Sequence, residues 1–108
     1  TGAAAAPKRN VYVVGGLELN EETVSLLVDG EAVKLTPIEF TVLALLMKNP
    51  GRVFSAEELY ERVWNERAVN TDTIMVHVRN SREKIEINPK EPKYLKVVWG
   101  IGYKIEKQ

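Results

Sequence analysis

Residues 72 to 84 combine an amide, an imidazole, two guanidinium groups and a valine at helical spacing. If this segment is a helix, Val78 lies at the centre of one face, and Ile74, Ser81 and Ile85 lie within about 60° of it. The opposite side carries Asp72, Thr73, Val76, Asn80, Glu83 and Lys84, flanked by His77 and Arg79. We therefore expect one buried face and one face that is free to bind a ligand.

The outer face of this predicted helix has the chemistry needed to recognise duplex DNA. Asn80 can donate to and accept from an adenine edge, and Val76 can contact a thymine methyl group. Arg79, Arg82 and Lys84 would reach phosphates, which fix the register of a protein on DNA without reading sequence. The alternative is a solvated face with ion pairs between residues four apart, which Lys84 and the glutamate before it fit better.

The sequence offers no arrangement of residues that is typical of an enzyme. It has one histidine and no cysteine, and we find no nucleophile–base pair and no cluster with metal-ligand spacing. His77 is expected to make a phosphate or packing contact, and Glu57 and Glu58 suit a helix start better than acid–base chemistry. We therefore predict no catalysis, no cofactor and no bound metal.

Two well-marked helix starts precede this segment. Thr36-Pro37-Ile38-Glu39 has a capping hydroxyl, a proline at the first helical position and a glutamate at the third, with Leu35 and Phe40 as a hydrophobic staple. This helix should end near Lys48. Ser55-Ala56-Glu57-Glu58 repeats the device, with Phe54 and Leu59 as the staple, and predicts a short helix that ends near Trp64. The third helix should start at Asn70 or Thr71 and end near Ile87, before Asn88-Pro89.

Alternating apolar residues and turn signals predict strands on both sides of the helices. The predicted strands are Tyr12–Val14, Leu17–Leu19, Thr23–Val28 and Ala32–Leu35 before them, and Tyr94–Trp99 and Tyr103–Glu106 after them. Gly100-Ile101-Gly102 joins the last two. A phosphate-binding loop would need a third glycine and a following helix, so a hairpin turn is the better interpretation.

This order of elements predicts an α+β fold with an N-terminal antiparallel four-stranded sheet, three helices and a C-terminal β-hairpin. A short helix, a loop, a longer helix and a hairpin form a winged helix-turn-helix, here over residues 54 to 107. Residues 1 to 10 are rich in alanine and end in Pro7-Lys8-Arg9-Asn10, which is typical of a linker or of the remnant of a cloning step. We therefore expect one folded domain over residues 11 to 107.

The charge is distributed unevenly although the 108 residues carry no net charge. Residues 11 to 50 hold six acidic and two basic side chains, whereas residues 89 to 108 hold five lysines and two glutamates. Such asymmetry suits a protein with one face toward phosphates, although ordinary scatter of surface charge would look similar. No apolar run approaches the roughly 20 residues of a membrane span, and the absence of cysteine is compatible with the cytoplasm.

Four motifs resemble the effector domain of OmpR/PhoB-type response regulators, and the ending is most similar to that of the VanR group. They are Leu35–Phe40 (LTPIEF), Leu59–Trp64 (LYERVW), Val76–Ile85 (VHVRNSREKI) and Val97–Ile105 (VVWGIGYKI). The resemblance covers residues 11 to 107. It implies a bacterial, cytoplasmic transcription regulator that follows a phosphorylatable receiver domain, absent from this chain, and binds direct-repeat promoter sites as two copies.

The resemblance also implies site residues. The helix over about residues 70 to 87 would lie in the major groove, and the hairpin over residues 94 to 106 near the minor groove. The implied DNA contacts are Thr73, Val76, His77, Arg79, Asn80, Arg82 and Lys84 on the helix, with Lys96, Trp99, Gly100, Gly102 and Lys104 on the hairpin. The loop of Trp64, Asn65, Glu66 and Arg67 falls where some members touch RNA polymerase.

Three positions depart from the family pattern. Ser81 stands where a leucine is usual, so either this site is at the rim of the core or the helix packs differently. Asn80 replaces a frequent arginine, which favours adenine over guanine. Trp99 replaces an arginine before the first glycine of the hairpin, which argues against insertion of an arginine into the minor groove.

A winged helix that binds another protein without touching DNA is the alternative function. The neutral overall charge and the acidic amino-terminal half favour it.

Overall fold

The protein folds as three helices between a four-stranded sheet and a hairpin, as a computed structural model shows for residues 10 to 67 and 70 to 107. The strands of the first sheet are β1 (Val11–Val14), β2 (Leu17–Asn20), β3 (Ser25–Val28) and β4 (Glu31–Val33). The helices are α1 (Pro37–Lys48), α2 (Ala56–Trp64) and α3 (Asp72–Ile85), and the hairpin is β5 (Leu95–Val98) and β6 (Gly102–Ile105). The predicted fold class is therefore confirmed. The predicted linker, apart from Asn10, lies outside the described residues.

The first sheet is an antiparallel meander in the order β1-β2-β3-β4. One face supplies Val14, Leu17, Leu19 and Leu26 to the core. β3 starts two residues later than its apolar alternation predicts. The side-chain oxygen of Asn20 accepts hydrogen bonds from two backbone N–H groups of the connecting turn, so those residues close the turn instead of extending the strand.

α1 begins with the predicted capping box. The hydroxyl of Thr36 accepts from the backbone N–H of Glu39 at 3.3 Å, and the Glu39 carboxylate accepts from the backbone N–H of Thr36 at 3.0 Å. Glu39 is only 2% exposed, and its carboxylate also accepts from the Nζ of Lys84 on α3 at 2.5 Å. Capping and interhelical pairing therefore share one buried carboxylate.

Only one of the two predicted capping-box hydrogen bonds forms at the start of α2. Ser55 caps the helix, accepting from the backbone N–H of Glu58 at 3.0 Å. The reciprocal bond was predicted wrongly, because the Glu58 carboxylate instead binds Arg52 at 2.9 Å and Arg62 at 3.3 Å. The two arginines compete successfully for it because they supply charged donors.

α3 buries the face that its periodicity predicts, namely Ile74, Val78, Ser81 and Ile85. Ser81 is fully buried, so the rim position considered for it is wrong. Its hydroxyl donates to the carbonyl oxygen of His77 at 2.8 Å, which satisfies the polar group inside the core.

α3 ends two residues earlier than predicted because Glu86 turns away into extended backbone. The carboxylate of Glu86 accepts three backbone hydrogen bonds, from the N–H groups of Lys93, Tyr94 and Leu95 at 2.7 to 2.9 Å. This side chain thus ties the end of α3 to the first strand of the hairpin.

The hairpin is also tied to the start of α2. Phe54 and Tyr103 exchange two backbone hydrogen bonds, each of 2.8 Å. A Cβ atom added to Gly102 would lie 2.0 Å from the carbonyl oxygen of Phe54, so only glycine allows this approach. The helices and the hairpin therefore hold fixed positions relative to each other.

Candidate nucleic-acid interface

A cleft of about 410 Å³ separates α3 from the hairpin. Its helical wall consists of Asp72, Met75, Val76, Arg79 and Arg82, and its hairpin wall of Val97, Trp99 and Tyr103. A second, more polar hollow of about 1020 Å³ adjoins it and shares both arginines. The two predicted binding elements, helix and hairpin, therefore open onto one continuous surface.

Arg82 is the central cation of this surface. Its Nε is buried and has no hydrogen-bond partner among the described residues. Arg82 lines the same cleft as Tyr103 of the hairpin. Burial raises the pKa of the Tyr103 phenol, and the positive charge of Arg82 offsets part of that rise. The side chain lines both the cleft and the adjoining hollow, so its guanidinium can bind an acceptor that enters them.

Arg79 and Lys96 add further positive charge to the two walls. Arg79 is 78% exposed and lies 3.9 Å from the Glu83 carboxylate, too far for a strong pair. Lys96 lies directly opposite Lys104 in the hairpin register, and like charges at such positions destabilise a hairpin. The Nζ of Lys104 pairs with the Glu106 carboxylate at 3.1 Å, which offsets part of this repulsion. Lys96 has no ion pair in the part of the chain that the structure describes.

The outward pole of α3 carries the predicted base-reading residues. Val76 is 54% exposed, and Asn80 is half-buried with a side-chain amide that forms no hydrogen bond within residues 10–67 and 70–107. Thr73 donates its hydroxyl to the carbonyl oxygen of Asn70 at 3.1 Å. An unpaired amide beside an exposed valine matches what recognition of an A·T pair requires.

His77 lies on the opposite flank of α3 from Arg82, against α2. Its ring is 6.3 Å from that of Trp64, which stacks on Tyr60 at 4.6 Å. The buried Nδ1 of His77 has no hydrogen-bond partner among the described residues. The histidine therefore packs between the two helices along one edge of the surface.

Two predicted contact residues have evident structural roles. The ammonium group of Lys84 binds the buried carboxylate of Glu39, on the α1 side of the helix and away from the cleft. Gly102 is required by its contact with the Phe54 backbone. By contrast, Gly100 has a φ of +77° and open space around it, as a hairpin turn demands.

The predicted polymerase loop is described up to Arg67. Asn65 ends α2 in a left-handed conformation with a φ of 55°, and together with Glu66 and Arg67 it is exposed. Trp64 is half-buried in its stack with Tyr60, so it supports the loop from inside. Residues 68 and 69 lie outside the described residues.

Met75, Val97 and Tyr103 line the cleft, and Lys90 lines the adjoining hollow, although the sequence did not single them out. A signal existed for the helical part of this wall. At 100° per residue, Arg82 lies about 40° and Met75 about 60° from the centre of the buried face, on the same flank. An arginine so close to the centre of the buried face indicates that this flank of α3 packs against something other than the apolar core.

The described helices are all too short or too polar to cross a membrane. Within residues 10–67 and 70–107, no three carboxylate or histidine side chains gather as a metal site would require.

Comparison with known proteins gives concordant matches. The family model described as "Transcriptional regulatory protein, C terminal" matches residues 30–105. The regulatory protein VanRc of Enterococcus gallinarum is 42% identical over 106 residues, which are 97% of this chain and 46% of that protein. The chain thus spans about half the length of this curated relative.

Two solved structures share the fold. The response regulator DrrB of Thermotoga maritima, an OmpR/PhoB homologue, superposes with a TM-score of 0.83 at 29% identity over 92% of this chain and 45% of that one. The DNA-binding domain of CpxR from E. coli gives a TM-score of 0.78 at 31% identity, over 94% of this chain and 98% of that domain.

Proposed function

The chain belongs to the family of transcriptional regulatory C-terminal domains of the OmpR/PhoB type, and we propose that it binds duplex DNA as a transcriptional output domain. α3 lies in the major groove, and the hairpin β5–β6 lies near the minor groove. The family is one of transcriptional regulators and not of enzymes.

The observation that carries this proposal is the unpaired cation between helix and hairpin. Arg82 lines both hollows and forms no ion pair among the described residues, and Arg79 and Lys96 stand on the two walls beside it. The strand of duplex DNA that separates the major from the minor groove presents phosphates at such a junction. These three cations would bind adjacent phosphates and fix the register of the domain on the duplex.

The side of α3 that faces outward reads the base sequence. Asn80 and Val76 provide an amide and an aliphatic group, the pair suited to adenine and to the thymine methyl group. Thr73 and His77 flank them and are proposed as further contacts, to the backbone rather than to the bases. On the hairpin, Lys104 and the turn glycine Gly100 complete the proposed contact surface.

Lys84 and Gly102 are not needed for this surface, because their interactions within the protein account for them. They are better interpreted as residues that position α3 and the hairpin.

Further partners follow from the family and not from the geometry of this chain. In the full-length regulator we propose a receiver domain and a second copy bound to the adjacent direct repeat. Because a bacterial chromosome lies in the cytoplasm, we propose that the protein acts there. The exposed side chains of Asn65, Glu66 and Arg67, backed by Trp64, are proposed to contact RNA polymerase. Loss of activated transcription with unchanged DNA binding in Glu66→Ala or Arg67→Ala would support that contact.

The DNA proposal is tested by the salt dependence of binding. A pool of random duplexes is selected on the 108-residue chain, and binding to a selected duplex is measured at several salt concentrations. Phosphate contacts by Arg79, Arg82 and Lys96, with Lys104 remaining paired with Glu106, predict that log affinity falls linearly with log salt, with a slope of roughly −3. Lys48→Gln removes a cation that is paired with Glu21 and lines neither hollow, so its slope should equal that of the parent chain.

Absence of salt-sensitive binding to any duplex in the pool would contradict the proposal. It would favour a protein partner instead, for which the exposed Met75, Val76 and Trp99 would form the contact.

A further inference from the structure

The tip of the hairpin is apolar and exposed. Trp99 is 89% exposed and Ile101 63% exposed, and no residue from Val97 to Tyr103 carries a charge at neutral pH. An isolated exposed side chain needs no explanation, but two adjacent large ones beside a further apolar wall form a patch.

That wall is continuous with the tip. Trp99 lines the cleft together with Val97 and Tyr103 of the hairpin, and faces Met75 and Val76 of α3 across it. Met75 and Val76 are both more than half exposed. The apolar patch therefore runs from the outward pole of α3 across the cleft to the tip of the hairpin.

The cations stand behind this patch, on the stem of the hairpin. Lys96 and Lys104 face each other two pairs away from the turn, and Arg79 and Arg82 occupy the helical wall. A surface with cations at its base and apolar groups at its tip complements a nucleic-acid strand. The phosphates of such a strand are charged, whereas the faces of its deoxyribose rings are apolar.

We propose that Trp99 packs against deoxyribose rings at the mouth of the minor groove, so that the hairpin tip binds DNA by apolar contact and not by charge. This inference rests on the proposed function. Narrow A-tract minor grooves attract arginine and lysine through their negative potential. An apolar tip has no such attraction, so the chain should not prefer A-tracts beneath the hairpin.

The first test uses tryptophan fluorescence. The chain has two tryptophans, so Trp64→Phe leaves Trp99 as the single emitter and keeps an aromatic ring on Tyr60. Binding of a fluorescein-labelled selected duplex is followed by anisotropy, and the acrylamide quenching of Trp99 is measured on the unlabelled duplex. We expect the acrylamide quenching of Trp99 to fall at least about twofold when the duplex is added, because burial shields an indole that is free in solution. The midpoint of this titration should equal the midpoint measured by anisotropy.

The outcomes of this test separate the two proposals. Anisotropy that rises while Trp99 stays fully accessible to acrylamide would overturn the inference and leave DNA binding intact. Anisotropy that does not rise at any salt concentration would contradict the proposed function itself.

The second test replaces the apolar tip. Trp99→Ala should weaken binding about fivefold or more, with the salt slope unchanged, because the lost contact is apolar. Trp99→Arg should steepen the slope by about one and create a preference for duplexes with an A-tract under the hairpin. Ile101→Ala removes a smaller apolar side chain from the same tip, one that does not line the cleft, and should weaken binding less than Trp99→Ala. A slope for Trp99→Ala that is shallower than that of the parent chain, or unchanged affinity, would overturn the inference.

Discussion

The basic side chains on the two flanks of α3 differ in whether they are paired within the protein. On the flank toward α1, Lys84 is paired with the buried carboxylate of Glu39 at 2.5 Å. On the flank toward the hairpin, the buried Nε of Arg82 has no partner among the described residues. Both residues look alike in the sequence as basic members of one helix. A cation that is paired within the protein holds the helix in place, whereas a cation without an ion pair is available to a ligand.

Among its described residues, the hairpin likewise contains both anchored residues and residues without a partner. Glu86 fixes the start of β5 through three backbone hydrogen bonds, whereas Lys96 faces Lys104 at the cost of like-charge repulsion. We call Lys84, Glu39 and Glu86 the anchoring residues. Arg79, Arg82, Lys96 and Trp99, which line the cleft or the hollow that adjoins it, are called the cleft residues. Substitutions in the first group should reduce stability, and substitutions in the second should reduce DNA affinity.

The largest effect is expected from Glu86→Ala. It leaves three N–H groups of a largely buried segment without their acceptor, which should lower the free energy of unfolding by about 3 kcal/mol. Urea denaturation of the variant and of the parent chain measures it. Glu83→Ala is the matched control, since it removes an exposed carboxylate with one long ion pair and should change stability by less than about 0.5 kcal/mol. Equal losses in the two variants would show that Glu86 does not anchor the hairpin.

Lys84→Met should follow, with a loss of about 2 kcal/mol. Removing one member of a buried pair costs about 3–5 kcal/mol, and the loss is smaller here because the Lys84 side chain is 35% exposed. Thermal or urea unfolding at pH 7 measures it. Arg82→Met, which shortens a similar side chain on the other flank, should leave the free energy of unfolding nearly unchanged. A stability loss in Arg82→Met as large as that in Lys84→Met would show that both residues anchor α3.

The pH dependence of unfolding should report on the ion pair between Glu39 and Lys84. Burial raises the pKa of Glu39, but the hydrogen bonds from Lys84 and Thr36 outweigh it and hold the pKa below its ordinary value of 4.5. The stabilisation by ionised Glu39 is therefore present above pH 4.5 and is lost as the pH falls through the lowered pKa. We expect the stability difference between the parent chain and Lys84→Met to shrink as the pH is lowered below 4.5. A difference that does not shrink at any pH below 4.5 at which both chains still fold would contradict this role of the pair.

Lys96→Glu tests a cleft residue through opposite effects on folding and binding. A glutamate opposite Lys104 replaces repulsion by attraction, so stability should stay level or rise by up to about 0.5 kcal/mol. DNA affinity should fall about tenfold, because a phosphate contact becomes a repulsion. Lys34→Glu makes the same charge change at an exposed site on the acidic half and should affect binding much less. Equal losses of affinity would mean that overall charge, and not the cleft, governs binding.

The smallest expected effect is on base preference. Asn80→Ala should weaken binding to the preferred duplex about fivefold and relax selection at one base pair, since it removes a base contact. Arg79→Ala should weaken binding to all duplexes in similar proportion. Selection of random duplexes on both variants measures this. An unchanged preference for Asn80→Ala would remove this residue from those that read sequence.

Much of the fold could be predicted because its signals are local. The capping residues Thr36 and Ser55 lie within three residues of the groups they bind, and the buried face of α3 follows from helical periodicity alone. Strand and helix ends were less accurate. Side chains such as Asn20 and Glu86 draw the backbone into turns through hydrogen bonds that periodicity does not encode.

The site could be predicted only in part because its decisive contacts join distant residues. Lys84 and Glu39 are 45 residues apart, so the sequence grouped Lys84 with Arg82 as a phosphate contact. The need for glycine at position 102 likewise depends on Phe54, which no local pattern reveals. Periodicity gave the angle of each side chain around α3 but not the neighbour that stands there, which for Arg82 is the hairpin.

The most direct test of the two-flank account is the salt dependence of DNA binding in Arg82→Met and Lys84→Met, measured side by side with the parent chain under conditions where all three are folded. Loss of one phosphate contact reduces the slope of log affinity against log salt by about 0.9. We predict a slope shallower by about that amount for Arg82→Met and the parent slope for Lys84→Met. Equal slopes for the two variants, or a reduced slope for Lys84→Met alone, would contradict the account.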